Sequence, residues 1–296
     1  MPEPHSSWIS LGSPELRAQI DPLGAQLSRL QDRAGRDLLW DGNPAVWAGR
    51  APLLFPIVGE LAGGAYRVGS AQYRLPRHGF ARRRPFTLLS ATSTEATFGL
   101  TSDEATLQVY PFRFELQVRF QIVDAALSVI ASVRNPGTTR LLASFGFHPA
   151  LRWPLPFGRA REAHFIEFEK DEPEPVRRLN GEGLLSATRH PTPVSGRRLA
   201  LVDDLFADDA LIFDAARSRS VTYGADGGPR VRVTHDAPFL GVWTKPGAGF
   251  ICIEPWHGIA DPVGFTGDFS DKPGVFAVGV GGERVIATTM VIFATS

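Results

Sequence analysis

The chain has 296 residues, with 31 Lys and Arg against 31 Asp and Glu, 43% hydrophobic and 10% aromatic content. This balance excludes a basic nucleic-acid surface and an acidic tail, and the hydrophobic content excludes a disordered or fibrous chain. Cys252 is the only cysteine, which excludes an intrachain disulfide and a thiolate metal cluster.

In chain order, the N-terminus lacks the basic-then-apolar arrangement of a signal peptide. No run approaches the roughly 20 apolar residues of a spanning helix. The expectation is a cytoplasmic protein without membrane contact. Short apolar-polar runs at Leu16–Ile20, Tyr66–Leu75 and Phe86–Leu89 predict strands. The clearest pattern follows: Phe112, Phe114, Leu116, Val118, Phe120 and Ile122 alternate with Arg113, Glu115, Gln117, Arg119 and Gln121. Period two places one set on one face of a strand. After a turn at Val123–Ala126, Leu127, Val129, Ala131 and Val133 continue the alternation until Asn135-Pro-Gly137 breaks it, which predicts a hairpin. Further strands are expected at Leu141–Phe147, Val231–His235, Gly249–Glu254 and Arg284–Phe293. The 30 glycines and 24 prolines fall at intervals that long helices would not tolerate. The fold class is therefore all-β, a sandwich, with residues 1–296 as one domain. The Pro- and charge-rich segment Glu169–Pro193 is read as an excursion across the surface.

Four segments combine reactive side chains with backbone-shaping residues: Ala51-Pro-Leu-Leu-Phe-Pro-Ile-Val-Gly59, Leu75-Pro-Arg-His-Gly-Phe-Ala-Arg82, Phe145-Gly-Phe-His-Pro149 and Cys252-Ile-Glu-Pro-Trp-His-Gly-Ile-Ala-Asp261. His148 follows a strand and suits proton exchange near neutrality, although a buried, satisfied histidine is the commoner case. Alternation puts Glu254 on the face opposite Ile251 and Ile253. Trp256 beside it offers a flat surface for the C–H face of a sugar while the carboxylate takes a hydroxyl. An ion pair with arginine is the plain alternative. His78 and Arg82 could bind hydroxyls, and the Arg fork a phosphate, whereas Arg83 and Arg84 read as a solvated turn. His257 and Asp261 lie near Glu254, but no metal-binding spacing is present. No hydrolase elbow, P-loop or dinucleotide fingerprint occurs.

In this order the segments resemble the aldose 1-epimerase (mutarotase) family. The features run from about Trp8 to the C-terminus: Gly24-Ala25, Leu39-Trp40 with Trp47, Pro52-Leu-Leu-Phe-Pro56, His78-Gly-Phe-Ala-Arg82, Gly146-Phe-His-Pro149 and Ile253-Glu-Pro-Trp-His-Gly-Ile-Ala-Asp261. The resemblance implies a galactose-mutarotase-like β-supersandwich, a small-molecule sugar substrate and no cofactor or metal, in a monomer or homodimer. It implies Glu254 as general base and His148 as general acid, with His78 near the ring oxygen and Arg82, beside Arg77, contacting substrate. It places Asp209 at a position binding sugar hydroxyls; Asp208 is an equal candidate from sequence. The ordinary pKa order makes the expected state an ionised Glu254 and a protonated His148.

The galactose branch carries an Asn-Arg pair and a His-Gly-Gly turn where this chain has Pro56-Ile-Val-Gly59 and His78-Gly-Phe80. Arg77, Arg82 and Arg83 therefore leave hexose 6-phosphates open beside free hexoses. The alternatives are a non-catalytic carbohydrate-binding protein, which would not need both His148 and Glu254, and a lyase or hydrolase. A glycosidase would need a second carboxylate, for which the sequence offers no clear candidate.

Overall fold

The computed structural model describes residues 8–293. Two large antiparallel sheets dominate it. One has nine strands, ordered Arg198–Ala200, His164–Phe168, Ser220–Ala225, Arg230–His235, Glu283–Phe293, Ala126–Arg134, Glu115–Val123, Glu95–Thr101 and Thr87–Ala91. The other has eight, running from Leu185–His190 through Val176–Leu179, Leu211–Phe213, Phe239–Trp243, Phe250–His257 and Phe145–Phe147 to Leu53–Leu54, with Ala150–Arg152 also paired to Phe250–His257. A three-stranded sheet (Ile9–Gly12, Leu16–Asp21, Gln26–Asp32) and two hairpin-sized pairs complete the β structure.

The predicted central hairpin forms as expected. Val123 pairs with Ala126 across a two-residue turn, where Asp124 takes a φ of 51°. Leu116, Val118, Phe120 and Ile122 are buried, as are Leu127, Val129, Ala131 and Val133. These inward positions meet Leu53, Phe145, Phe147, Leu151, Leu240, Val242, Ile251 and Ile253 of the eight-stranded sheet in one continuous apolar cluster. That is sheet-on-sheet packing.

Several expectations change in detail. The Tyr66–Leu75 run is a hairpin, Ala65–Val68 with Ala71–Arg74. Leu141–Phe147 splits at Ser144: Leu141–Ala143 pairs with Phe276–Val278, and Phe145–Phe147 joins the eight-stranded sheet. One short helix, Glu104–Val109, was absent from the sequence reading; Asp103 caps it by accepting the Thr106 N–H, a local rule outweighing the β pattern around it. Glu169–Pro193 is corrected as well. It does not merely cross the surface, since Val176–Leu179 and Leu185–His190 pair as the outermost strands of the eight-stranded sheet. Its charged residues serve an edge, where one row of side chains faces solvent.

The eight-stranded sheet is covered on both faces. Ile251 and Ile253 point into the shared core, whereas Phe250, Cys252 and Trp256 belong to two smaller clusters on the opposite face. All eight residues of Phe250–His257 are consequently buried, and the outer face carries the site.

Candidate active site

Two glycines make room for Trp256. In register it lies beside Gly146 on one neighbouring strand, and Gly241 faces Glu254 on the other. A Cβ on Gly241 would stand 2.5 Å from the Trp256 ring, and one on Gly146 2.8 Å from it. The indole therefore lies flat across three strands, beside Glu254.

The loop from Pro76 to Arg82 forms a second wall. Gly79 has a φ of 71°, and a Cβ there would sit 2.2 Å from the Phe55 carbonyl oxygen, so only glycine brings this turn against strand Leu53–Leu54. His78 before it also has positive φ, 66°. It is locked from both sides: its N–H donates to the Gly59 carbonyl at 2.9 Å, and its Nδ1 accepts the Gly59 N–H at 3.0 Å. Because a backbone N–H must donate, the neutral ring carries its proton on Nε2, a fixed donor. Burial chiefly, then the charges of His148, Arg82 and Arg77, hold its pKa well below the usual histidine value. Asp209 is likewise a non-glycine residue at positive φ, 63°. Such strain, costing about 1–3 kcal/mol, clusters at functional positions.

His148 enters from the junction of Phe145–Phe147 and Ala150–Arg152. Its ring stacks on Trp47, with centroids 5.2 Å apart and planes 26° apart, and meets Trp243 and His78 edge-on. Its Nε2 lies 3.1 Å from Glu254 Oε2, with the two side chains 9% and 1% exposed.

His148, Glu254, His78, Arg82, Arg77, Asp209 and Trp256 all line one cavity of about 310 Å³, within the roughly 300–1,000 Å³ range of small-molecule sites. Asp208 does not line it; it faces a neighbouring cavity. Trp47 and Trp243, not named as site residues from sequence, also line the pocket. A signal existed for Trp47, which lies in a segment of the family pattern. Leu179 comes from the segment read as surface excursion, a position that only the sheet order reveals. Arg83 is exposed and Arg84 pairs with Asp103 at 3.3 Å. His257 and Asp261 turn elsewhere: His257 contacts Asp236 at 3.0 Å, and Asp261 accepts from the buried Lys272 ammonium at 2.5 Å and from the Ala62 N–H at 2.9 Å. That pair anchors the loop whose Ala260 packs on Gly59 in the pocket wall.

The electrostatics reverse the expected protonation order. Burial lowers the His148 pKa to about 3, with Arg82 and Arg77 adding to the effect. Burial first, then the charge of Asp209, raises the Glu254 pKa well above the usual carboxylate value. The favoured state holds its proton on the carboxyl beside a neutral imidazole, since a dry pocket penalises both charges. The state with ionised Glu254 and protonated His148 contains the same number of protons and differs only in which member of the 3.1 Å contact carries one of them. Arg82 donates to the Arg77 carbonyl at 2.8 Å, while its Nε is buried without a partner. Its pKa falls to about 10, mainly by burial and then through Arg83 and Arg77, so it stays charged at neutrality.

His148, Cys252 and Glu254 offer ligand atoms within 4.8 Å of one another, a juxtaposition the sequence spacing did not indicate. A metal ion needs a deprotonated thiol and carboxylate. Burial raises both pKa values well above their ordinary ranges, so an ion binding there would have to displace both protons.

The profile of the aldose 1-epimerase family matches residues 7–268. Protein LacX (chromosomal) of Lactococcus lactis subsp. lactis is 33% identical over 281 residues, covering 91% of this chain and 94% of LacX. A structure of a galactose mutarotase related enzyme from Lactobacillus acidophilus superposes with a TM-score of 0.89 at 31% identity, covering 98% of each chain. A galactose mutarotase-like protein from Lactobacillus casei gives 0.89 at 26% identity, over 97% of this chain and all of that one. The β-supersandwich expectation agrees with these neighbours. Among the described residues no helix is long and apolar enough to cross a membrane.

Proposed function

This chain belongs to the aldose 1-epimerase family, and from that premise we propose that it interconverts the α and β anomers of a hexose or hexose 6-phosphate by acid–base ring opening. The observation that carries the reading is the His148–Glu254 contact of 3.1 Å at a pocket flanked by three tryptophans and two arginines.

Ring opening starts from the tautomer with the proton on His148. Glu254 takes the proton of the anomeric hydroxyl while His148 Nε2 donates to the ring oxygen, and the bond between C1 and that oxygen breaks. The products are an open-chain aldehyde, a protonated Glu254 and a neutral His148, which is the proton arrangement that burial favours. The aldehyde turns about its C1–C2 bond. His148 then removes the proton from the C5 hydroxyl, its oxygen attacks the other face of C1, and Glu254 returns its proton to the carbonyl oxygen. Each positioned transfer is typically worth about 10²–10⁴-fold. Trp256 supplies a stacking surface, and His78 Nε2–H a neutral donor. Arg82, whose charge has no carboxylate within ion-pair distance among the described residues, is the group suited to a 6-phosphate.

Saturation-transfer NMR on a panel of free hexoses and hexose 6-phosphates tests the reading. Accelerated anomer exchange that disappears in Glu254→Gln and His148→Ala supports it. Binding without acceleration would instead favour a carbohydrate-binding protein.

A further inference from the structure

Ring opening by acid–base transfer uses His148 as an imidazolium, and ring closure makes it one again when it takes the C5 hydroxyl proton. Its surroundings work against that charge: burial first, then the positive charges of Arg82 and Arg77. Glu254, at 3.1 Å, balances the cation only while it is ionised. One further group stands beside the ring. The indole of Trp47 lies against His148 with centroids 5.2 Å apart and planes 26° apart, so it turns a π face, not a ring edge, to the imidazole.

We propose that Trp47 acts through His148: its indole face holds the imidazole in position and stabilises the positive charge that this ring carries during proton transfer. The inference rests on the acid–base reading of the pocket, and extends it with a residue to which that reading gives no role.

The first argument is chemical. The face of an aromatic ring is negative and attracts a cation within about 6 Å of its centroid, indole most strongly, and more so away from water. The contact falls inside that limit, and the His148 side chain is 9% exposed. A π face can stabilise a cation in such a pocket without adding a second charge to be buried. It has no basic atom on that face to compete for the proton. Because it favours the imidazolium over the neutral imidazole, it lowers the transition state relative to the resting pair, in which burial keeps His148 neutral.

The second argument is how firmly the indole is held. The Trp47 N–H donates to the Asn43 carbonyl at 2.9 Å, and the Trp47 carbonyl accepts the Trp40 indole N–H at 2.8 Å. The ring folds over the backbone two residues on. A Cβ on Gly49 would stand 2.4 Å from it, so a side chain there would push the ring off His148. Trp243 meets the indole edge-on at 5.6 Å, and Phe250 packs on it at 5.3 Å. A stabilising group fixed before the charge develops needs no reorganisation when it does.

Site-specific replacement of Trp47 by mono-, di-, tri- and tetrafluorotryptophan tests the proposal, because each fluorine weakens the negative face while nearly preserving the ring's shape. Anomer exchange is measured with the free hexose or hexose 6-phosphate that the wild-type protein accelerates most. The expected result is a stepwise fall in kcat, about tenfold across the series, with KM within about twofold and the thermal midpoint unchanged. Trp47→Phe keeps a weaker face and should fall between the wild type and Trp47→Leu, which keeps none. The same fluorinated series at Trp153, a buried residue outside the pocket lining, should leave kcat in place. The proposal is overturned if kcat is indifferent to fluorination at Trp47. It is equally overturned if KM rises along the series at constant kcat, which would make the indole a stacking surface for the sugar. A wild-type protein that accelerates no aldose would overturn the acid–base reading, and this proposal with it.

Discussion

Strand Phe250–His257 is buried along its whole length, yet its two faces obey different rules. On the inner face Ile251 and Ile253 join the core shared by both large sheets; their stabilisation is apolar area removed from water, about 25 cal/mol per Å². The outer face sets Cys252, Glu254 and Trp256 against His148 and the Arg77–Arg82 wall. There a carboxyl is 1% exposed, and His148 Nδ1 and Arg82 Nε are buried without partners. A buried unpaired polar atom costs about 1–3 kcal/mol. Equal burial thus conceals different roles: the inner face packs Ile251 and Ile253 into an apolar core, whereas the outer face holds unpaired polar atoms beside a cavity.

The sharpest way to break this comparison is Glu254→Gln. It should lower the rate of anomer exchange by about 10²–10⁴-fold while the thermal midpoint holds or rises, because an isosteric amide replaces a carboxyl strained by burial. A large fall in the midpoint would show that the outer face also stabilises the fold. The converse variant, Ile253→Ala, should cost about 2–5 kcal/mol in urea denaturation, with exchange per folded molecule nearly unchanged. Gly241→Ala lies between these. Its methyl would press on the Trp256 ring at 2.5 Å, and overpacking of about 1–3 kcal/mol should appear partly as lost stability and partly as a raised KM.

The smallest effects are in pH. With its pKa lowered by burial to about 3, His148 does not titrate near neutrality, so kcat/KM should show no bend near pH 6.5. An inflection there would mean that His148 titrates normally. Stability should respond instead. His78, His148, His164 and His235 all have lowered pKa values, chiefly from burial, with His235 at about 4. Below about pH 6.5 the unfolded chain binds protons that the folded one refuses, so stability falls with acid by up to about 1.4 kcal/mol per pH unit for each such histidine. Glu254 works in the opposite sense above its ordinary pKa and offsets one of them. Denaturation midpoints at pH 7 and pH 5, with His235→Gln flattening the difference, would check the sign.

The sequence by itself determined the all-β architecture and the central hairpin, because alternation at 112–133 is a local property. It also indicated that Glu254 faces away from Ile251 and Ile253, again by alternation, and the ordered motifs named the candidate residues that line one pocket. Local reasoning left His148 doubtful because nothing near it in sequence is its partner: Glu254 lies 106 positions away, and only the pairing of Ala150–Arg152 with Phe250–His257 brings the two side chains to 3.1 Å. The choice of Asp209 over Asp208, the place of Val176–His190 at the rim, and the packing of Trp47 on His148 are likewise products of strand order. The protonation order had to wait for the fold as well. Ordinary pKa values describe groups in water, and it is tertiary burial that removes the water from both members of the pair.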